Sequence, residues 1–197
     1  MQFRLTKHHG LGNDFLVLLT DDAALAADRA AWIPRAQRWC DRRRGLGADG
    51  LLIGLTGPDA RDPETGGAVD VVMTLVNADG SVAEMSGNGI RCLAQAAVMA
   101  GLGGAGSLVV ATDAGLRTID HRPSADGDPA TLEASVDMGP AGPGPEPDHD
   151  VEISVGDVPA ASATALGLDA HRSATFDLGN PHLVLLVDDP DDVDLVG

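Results

Sequence analysis

Three short segments carry residue types able to hold and work on a small charged molecule. The first is Gly10-Leu11-Gly12-Asn13-Asp14-Phe15. The second runs from Asn77-Ala78-Asp79-Gly80-Ser81 to Glu84-Met85-Ser86-Gly87-Asn88-Gly89-Ile90-Arg91-Cys92, and the third is Gly179-Asn180-Pro181-His182. In the second, a Gly-rich turn leads from an apolar strand straight into an apolar helix. N–H groups at a helix start lack intrahelical partners, and with the helix dipole they attract an anion. Gly87 and Gly89 let a ligand approach the backbone, Asn88 can donate and accept at once, and Ser86 stands beside them. A carboxylate or phosphate suits that place. The competing reading is capping alone, in which Ser86 or Asn88 closes the helix and nothing binds. The stretch is no dinucleotide fingerprint, because GxGxxG and its downstream acidic residue are missing. Asn13, Asn77 and Asn180 each also fit an ordinary turn. His182 taken singly reads as a surface or hydrogen-bonded histidine.

These segments need elements to position them. Residues 3–6, 15–19, 51–55 and 69–76 predict strands, being short, apolar and bounded by turn residues. Residues 34–43 predict a short helix, with Pro34 in its first turn and Gly45 as its stop. Residues 59–67 read as a hairpin loop. Residues 90–100 predict a buried helix, since Leu93, Ala94, Ala97 and Val98 make a face of small apolar residues ended by Gly101 and Gly103. Further strands are predicted over 107–112, 116–120, 131–138, 151–155, 173–178 and 183–187. Polar stretches at 120–129 and 139–150 mark a domain boundary near one of them. Strands outnumber the two helices, which predicts an α+β fold with sheet around a buried helix.

The bulk properties exclude several functions. The 197 residues include 13 basic and 30 acidic ones, a net charge of −17, so a phosphate-binding basic face is disfavoured and no nucleic-acid partner is expected. With 3% aromatic residues and no Tyr, the core must be aliphatic. Arg35, Arg38, Arg42, Arg43 and Arg44 cluster against this acidic background. The cluster reads as a solvated helix face near a C-terminus or as a partner for an anionic group. The two cysteines, Cys40 and Cys92, make neither a disulfide scaffold nor a metal motif, and read as buried structural thiols. No metal is expected. The N-terminus has no apolar leader region, and no run of about 18 apolar residues could span a bilayer. The expectation is a soluble cytoplasmic protein with no membrane partner.

Taken together and in order, GLGNDF, CDRRRGLGADGLL, NADGSVAEM-x-GNGIRC and GNPH closely resemble the diaminopimelate epimerases. The match covers nearly the whole chain. The resemblance implies two similar α+β domains, each a mixed sheet wrapped around a central helix, here residues 1–124 and 125–197 with the second incomplete. It implies cofactor-independent interconversion of LL- and meso-diaminopimelate, in lysine and peptidoglycan precursor synthesis, and it is compatible with a homodimer. Asn13, Asn77 and Asn180 would hold the substrate's polar groups, Gly87 and Asn88 its α-carboxylate, and His182 would stand beside the reacting centre. The chain departs from the family in two places. Ser86 occupies the position of the cysteine in the MCGNG motif, and a later CGTG-type motif with the second cysteine is missing from these residues. A fragment of a longer protein is therefore expected, with little epimerisation by this chain alone. The alternatives are a racemase or dehydratase of another amino acid on the same fold, or an amino-acid-binding paralogue without catalysis.

Overall fold

Apolar residues run unbroken through the strand Asn13–Thr20, and successive ones serve different cores. Phe15 and Val17 join a cluster with Leu52, Leu75, Ile90 and Leu93, while Leu16 and Leu18 join one with Leu51, Ile53, Val76 and Trp32. Side chains alternate across a strand, so these clusters are the two covered faces of one sheet. The computed structural model describes residues 2–104, 106–128, 130–139, 142–143, 173–177 and 181–185.

The chain forms two compact units, residues 1–138 and 139–197. In the first, β1 (Thr6–Gly10), β2 (Asn13–Thr20), β3 (Gly50–Leu55), β4 (Val71–Asn77), β6 (Ser107–Thr112), β7 (Gly115–Pro123) and β8 (Leu132–Val136) lie in that order. The two-residue β5 (Val82–Ala83) pairs with β4 off this path. The β2–β3 and β4–β6 pairs are parallel and the remainder antiparallel. This mixed sheet curls round α3 (Gly87–Met99), which touches β1, β2, β3, β4 and β8. The expected α+β architecture, a sheet around a buried helix, is the one observed. On the other face, α1 (Ala23–Ala27) and α2 (Arg29–Trp39) cover the sheet, with Trp32 and Ala36 fully buried.

Three local expectations are corrected. The first strand lies at Thr6–Gly10, after the expected 3–6, because Phe3 packs edge-on against Trp32 and Trp39, with ring centroids 5.5 and 5.6 Å apart. The helix expected at 34–43 runs over Arg29–Trp39 with Pro34 inside it, because Asp28 caps an earlier start by accepting from the Ala31 N–H at 3.1 Å. Arg42, Arg43 and Arg44 therefore lie beyond the helix. Helix α1, capped by Asp22, and strand β5 were not foreseen.

The first unit runs to Met138, and β8 pairs with β7 in it through Pro123↔Leu132 to Ile119↔Val136. The second unit contains β9 (Gly142–Pro143), β10 (Ser173–Asp177) and β11 (Pro181–Leu185), antiparallel in the order β11-β10-β9. The strand expected at 151–155 lies outside the described residues. Among the described residues, no helix is long and apolar enough to cross a membrane.

Candidate functional site

The hairpin β1–β2 turns through Leu11 and Gly12, at φ 54° and 90°, with Gly10 opposite Asn13. Two positive φ angles in a two-residue loop give a type I′ turn, whose twist suits a hairpin. Gly10 also lets the hairpin rest on the start of α3. A Cβ there would lie 3.4 Å from the Asn88 carbonyl oxygen and 3.5 Å from its Cα.

Asn77 ends β4 at the same edge of the sheet. The register pairs Phe15 with Gly50 and Gly50 with Asn77, so β2 and β3 begin where β4 stops. Alternation sets Asn13 on the face of Phe15 and Val17, and Asn77 on the face of Leu75 and Met73. Both are therefore on the α3 side. The Phe15 ring fills the space between β3 and α3. A Cβ on Gly50 would come within 3.1 Å of it, and one on Gly89 within 3.5 Å. The first motif thereby fixes the helix start of the second.

Ser86 is the N-cap of α3, in extended backbone at φ −145° and ψ 119°. Its Oγ accepts the Gly89 N–H at 3.0 Å, which leaves the N–H groups of Gly87 and Asn88 without an intrahelical partner. Arg91 donates from Nε to the Gly87 carbonyl at 3.0 Å and from Nη2 to Asn88 Oδ1. With Oδ1 so engaged, the Asn88 NH2 group turns away from Arg91 as a donor. Asn77 donates from Nδ2 to Ser81 Oγ at 2.9 Å, and its N–H donates to the Ser81 carbonyl at 2.8 Å. Asp79 accepts from the same serine's hydroxyl and N–H, and these bonds hold its carboxyl below the usual range. Asn13 differs from its neighbours: its Oδ1 is buried and has no hydrogen-bond partner among the described residues. Buried acceptors are rarely left so, which makes this atom a pointer to a donor supplied from outside.

Asn13, Asn77, Ser86, Gly87 and Asn88 thus come together in the first unit. His182 lies in β11 of the second unit, opposite Phe176. Asn180 lies outside the described residues. Cys40 and Cys92 are buried, as expected, and burial is the largest cause pushing both thiols up to about 11. Neither is a usable nucleophile near neutral pH.

The sequence marked Arg42 only as one of an arginine cluster and assigned Asp49 no role, although both stand in the CDRRRGLGADGLL segment. Arg42 donates to Asp14 Oδ1 at 2.6 Å and to Asp49 Oδ1 at 2.7 Å, and Lys7 Nζ lies 3.0 Å from Asp14 Oδ2. Arg42 of the arginine cluster thus meets the chain's own carboxylate pair. A groove of about 790 Å³ runs from Gly10 and Leu11 along Arg91, Gln95 and Met99 of α3. Within it, His8 Nδ1 meets Gln95 Oε1 at 2.7 Å, and Gln95 Nε2 donates to the Ala130 carbonyl at 2.5 Å. Among the described residues, the buried acceptor without a partner is Asn13 Oδ1, in the asparagine cluster.

The fold defines a class: α+β proteins in which a curled mixed sheet encloses a buried helix. The structure of a predicted epimerase from Pseudomonas aeruginosa shares the fold with a TM-score of 0.64 at 18% identity, over 94% of this chain and 60% of that one. The family model described as diaminopimelate epimerase matches residues 5–142, and the chain belongs to that family. A diaminopimelate epimerase of Synechococcus elongatus is 33% identical over 192 residues, covering 96% of this chain and 61% of the relative. One of Thermobifida fusca is 39% identical over 194 residues, covering 92% and 65%. The chain spans under two thirds of the length of these relatives.

Proposed function

We propose that this chain carries the substrate-recognition half of a diaminopimelate epimerase. The observation that carries the reading is the buried Asn13 Oδ1, without a hydrogen-bond partner among the described residues, on a hairpin whose Gly10, the register partner of Asn13, rests on Asn88 in the first turn of α3. An unpaired acceptor next to a carboxylate-binding helix start suits an ammonium and a carboxylate on one carbon, which is the head of an α-amino acid. In this reading Gly87 and Asn88 hold the α-carboxylate, Asn13 accepts from the α-ammonium, and Asn77 and Asn180 hold the substrate's other polar groups. His182 stands beside the reacting carbon.

The reaction interconverts LL- and meso-2,6-diaminopimelate. A base removes the α-proton on one face, and an acid returns a proton to the opposite face. No pyridoxal phosphate or metal takes part. The helix start stabilises the negative charge that develops towards the carboxylate. The product serves lysine synthesis and peptidoglycan in the cytoplasm, and the working protein is compatible with a homodimer.

Ser86 favours a second reading for this chain as it stands. A hydroxyl is a far weaker acid than the thiol, which titrates near about 8.5 and lower at a helix start. Recognition is then retained while proton transfer is lost. Deuterium wash-in at the α-carbon of diaminopimelate separates the readings. The account expects binding with no exchange by the 197-residue chain. Absence of exchange by the whole protein, with Ser86 and equally with Ser86→Cys, would sink the epimerase reading and leave amino-acid binding.

A further inference from the structure

Asp49 touches both asparagine-bearing strands at once. Its Oδ2 accepts the Asp14 N–H at 3.0 Å, and its own N–H donates to the Asp14 carbonyl at 2.8 Å, next to Asn13. Its carbonyl accepts the Ala78 N–H at 2.9 Å, next to Asn77. Gly50, the residue after it, is the register partner of both Phe15 and Asn77. One peptide therefore sits between the two ends of the ligand cluster and is bonded to each.

The carboxylate is itself held. Arg42 bridges Asp49 Oδ1 and Asp14 Oδ1, so its guanidinium compensates two carboxylates that would otherwise repel. The Arg42–Asp49 pair is solvent-exposed and adds little to stability, while the Asp14 side chain in the other pair is only 14% exposed. Their geometric effect is more specific: they prevent the turn at residues 41–49 from swinging away from the β1–β2 hairpin.

We propose that Asp49, clamped by Arg42, is a positioning residue that sets the spacing between Asn13 and Asn77 for a shared ligand. The assignment rests on the functional reading above only for the identity of that ligand. Loss of the Asp49 side chain frees the Asp14 N–H and loosens the peptide that holds Ala78. Asp49→Asn keeps an acceptor for Asp14 but weakens the bond to Arg42, so its effect is intermediate.

The test uses the 197-residue chain and two readouts. In ligand-free protein, the side-chain amide resonances of Asn13 and Asn77 are followed by NMR. Both shift in Asp49→Ala, and both shift less in Asp49→Asn. Calorimetry with meso-diaminopimelate then gives an affinity loss of at least about tenfold for Asp49→Ala, but less than about twofold when Asn13 and Asn77 are already alanine. An unmoved Asn77 amide in Asp49→Ala overturns the assignment, as does an equal affinity loss in the doubly substituted background. If the unsubstituted chain takes no diaminopimelate, the functional reading fails and the amide resonances alone decide the role of Asp49.

Discussion

Ser86 Oγ accepts the Gly89 N–H at 3.0 Å, so the hydroxyl at the family's cysteine position closes the helix on which the site is built. Capping, which the sequence offered as the rival of ligand binding, is present, and it does not block the proposed binding. The cap occupies one first-turn donor and leaves those of Gly87 and Asn88 to a ligand. Ser86→Ala is predicted to cost about 1 kcal/mol in urea unfolding. An unchanged stability would contradict the capping role.

Asn13 should behave in the opposite way. Its Oδ1 is buried without a hydrogen-bond partner among the described residues, which contribute nothing to the fold through it. Asn13→Ala is predicted to stay within about 0.5 kcal/mol of the unsubstituted stability. The same change should weaken diaminopimelate binding at least about tenfold. A large stability loss with unchanged affinity would make Asn13 a structural residue.

The type I′ turn at the hairpin tip holds Leu11 at φ 54°, a conformation that costs most L-residues energy. Its side chain is 87% exposed, so little packing is lost on replacement. Leu11→Asn is predicted to stabilise the chain by about 0.5–1 kcal/mol, since Asn tolerates this region. A lower melting temperature would show that Leu11 has a packing role.

Gly54 lies where α3 packs closely on the sheet. A Cβ there would fall 2.7 Å from Leu19 Cδ2, 2.9 Å from Leu93 Cδ1 and 3.0 Å from Val71 Cγ1. Gly54→Ala should therefore destabilise by about 1–3 kcal/mol, with Gly54→Val worse. Chemical denaturation measures this, and a neutral alanine would mean that α3 sits loosely.

Two groups of ionisable residues give opposite pH limits. Arg42, and then Lys7, hold the Asp14 carboxyl well below its ordinary value of 3.8. The unfolded chain takes up that proton first, so this contribution is intact above pH 4 and fades as pH falls further. Cys40 and Cys92 are shifted up from 9.0 to about 11, mainly by burial. The unfolded chain loses those protons first, so stability falls as pH rises from about 9 towards 11. Unfolding curves of Asp14→Asn and of the Cys40→Ala/Cys92→Ala double variant should each lose one of these two slopes.

The sequence showed most of what periodicity controls. Strand β6 falls over the residues expected for it, and the helix over 90–100 is α3 begun three residues sooner, at Gly87. The grouping of Asn13, Asn77, Ser86, Gly87 and Asn88 was legible because glycine and asparagine mark backbone turns by their chemistry, and because the motifs occur in a family-specific order. Asp49 was not legible as a positioning residue. Its role depends on the parallel β2–β3 register, which places Gly50 against Phe15, and no local pattern encodes that pairing. Arg42 was misplaced for a related reason. The N-cap at Asp28 starts α2 early and ends it at Trp39, which puts the arginines in the following turn. Phe3 was read as a strand residue because an apolar aromatic suits a strand equally well. Only the tertiary packing reveals its place against Trp32 and Trp39.

The central claim is that diaminopimelate binds at the start of α3 beside Asn13. Titration of the 15N-labelled chain with meso-diaminopimelate tests it most directly. The account predicts saturable shifts of the Gly87, Asn88 and Gly89 backbone amides and of the Asn13 side-chain amide, with one common dissociation constant. Shifts confined to other residues, or none at millimolar ligand, would contradict it.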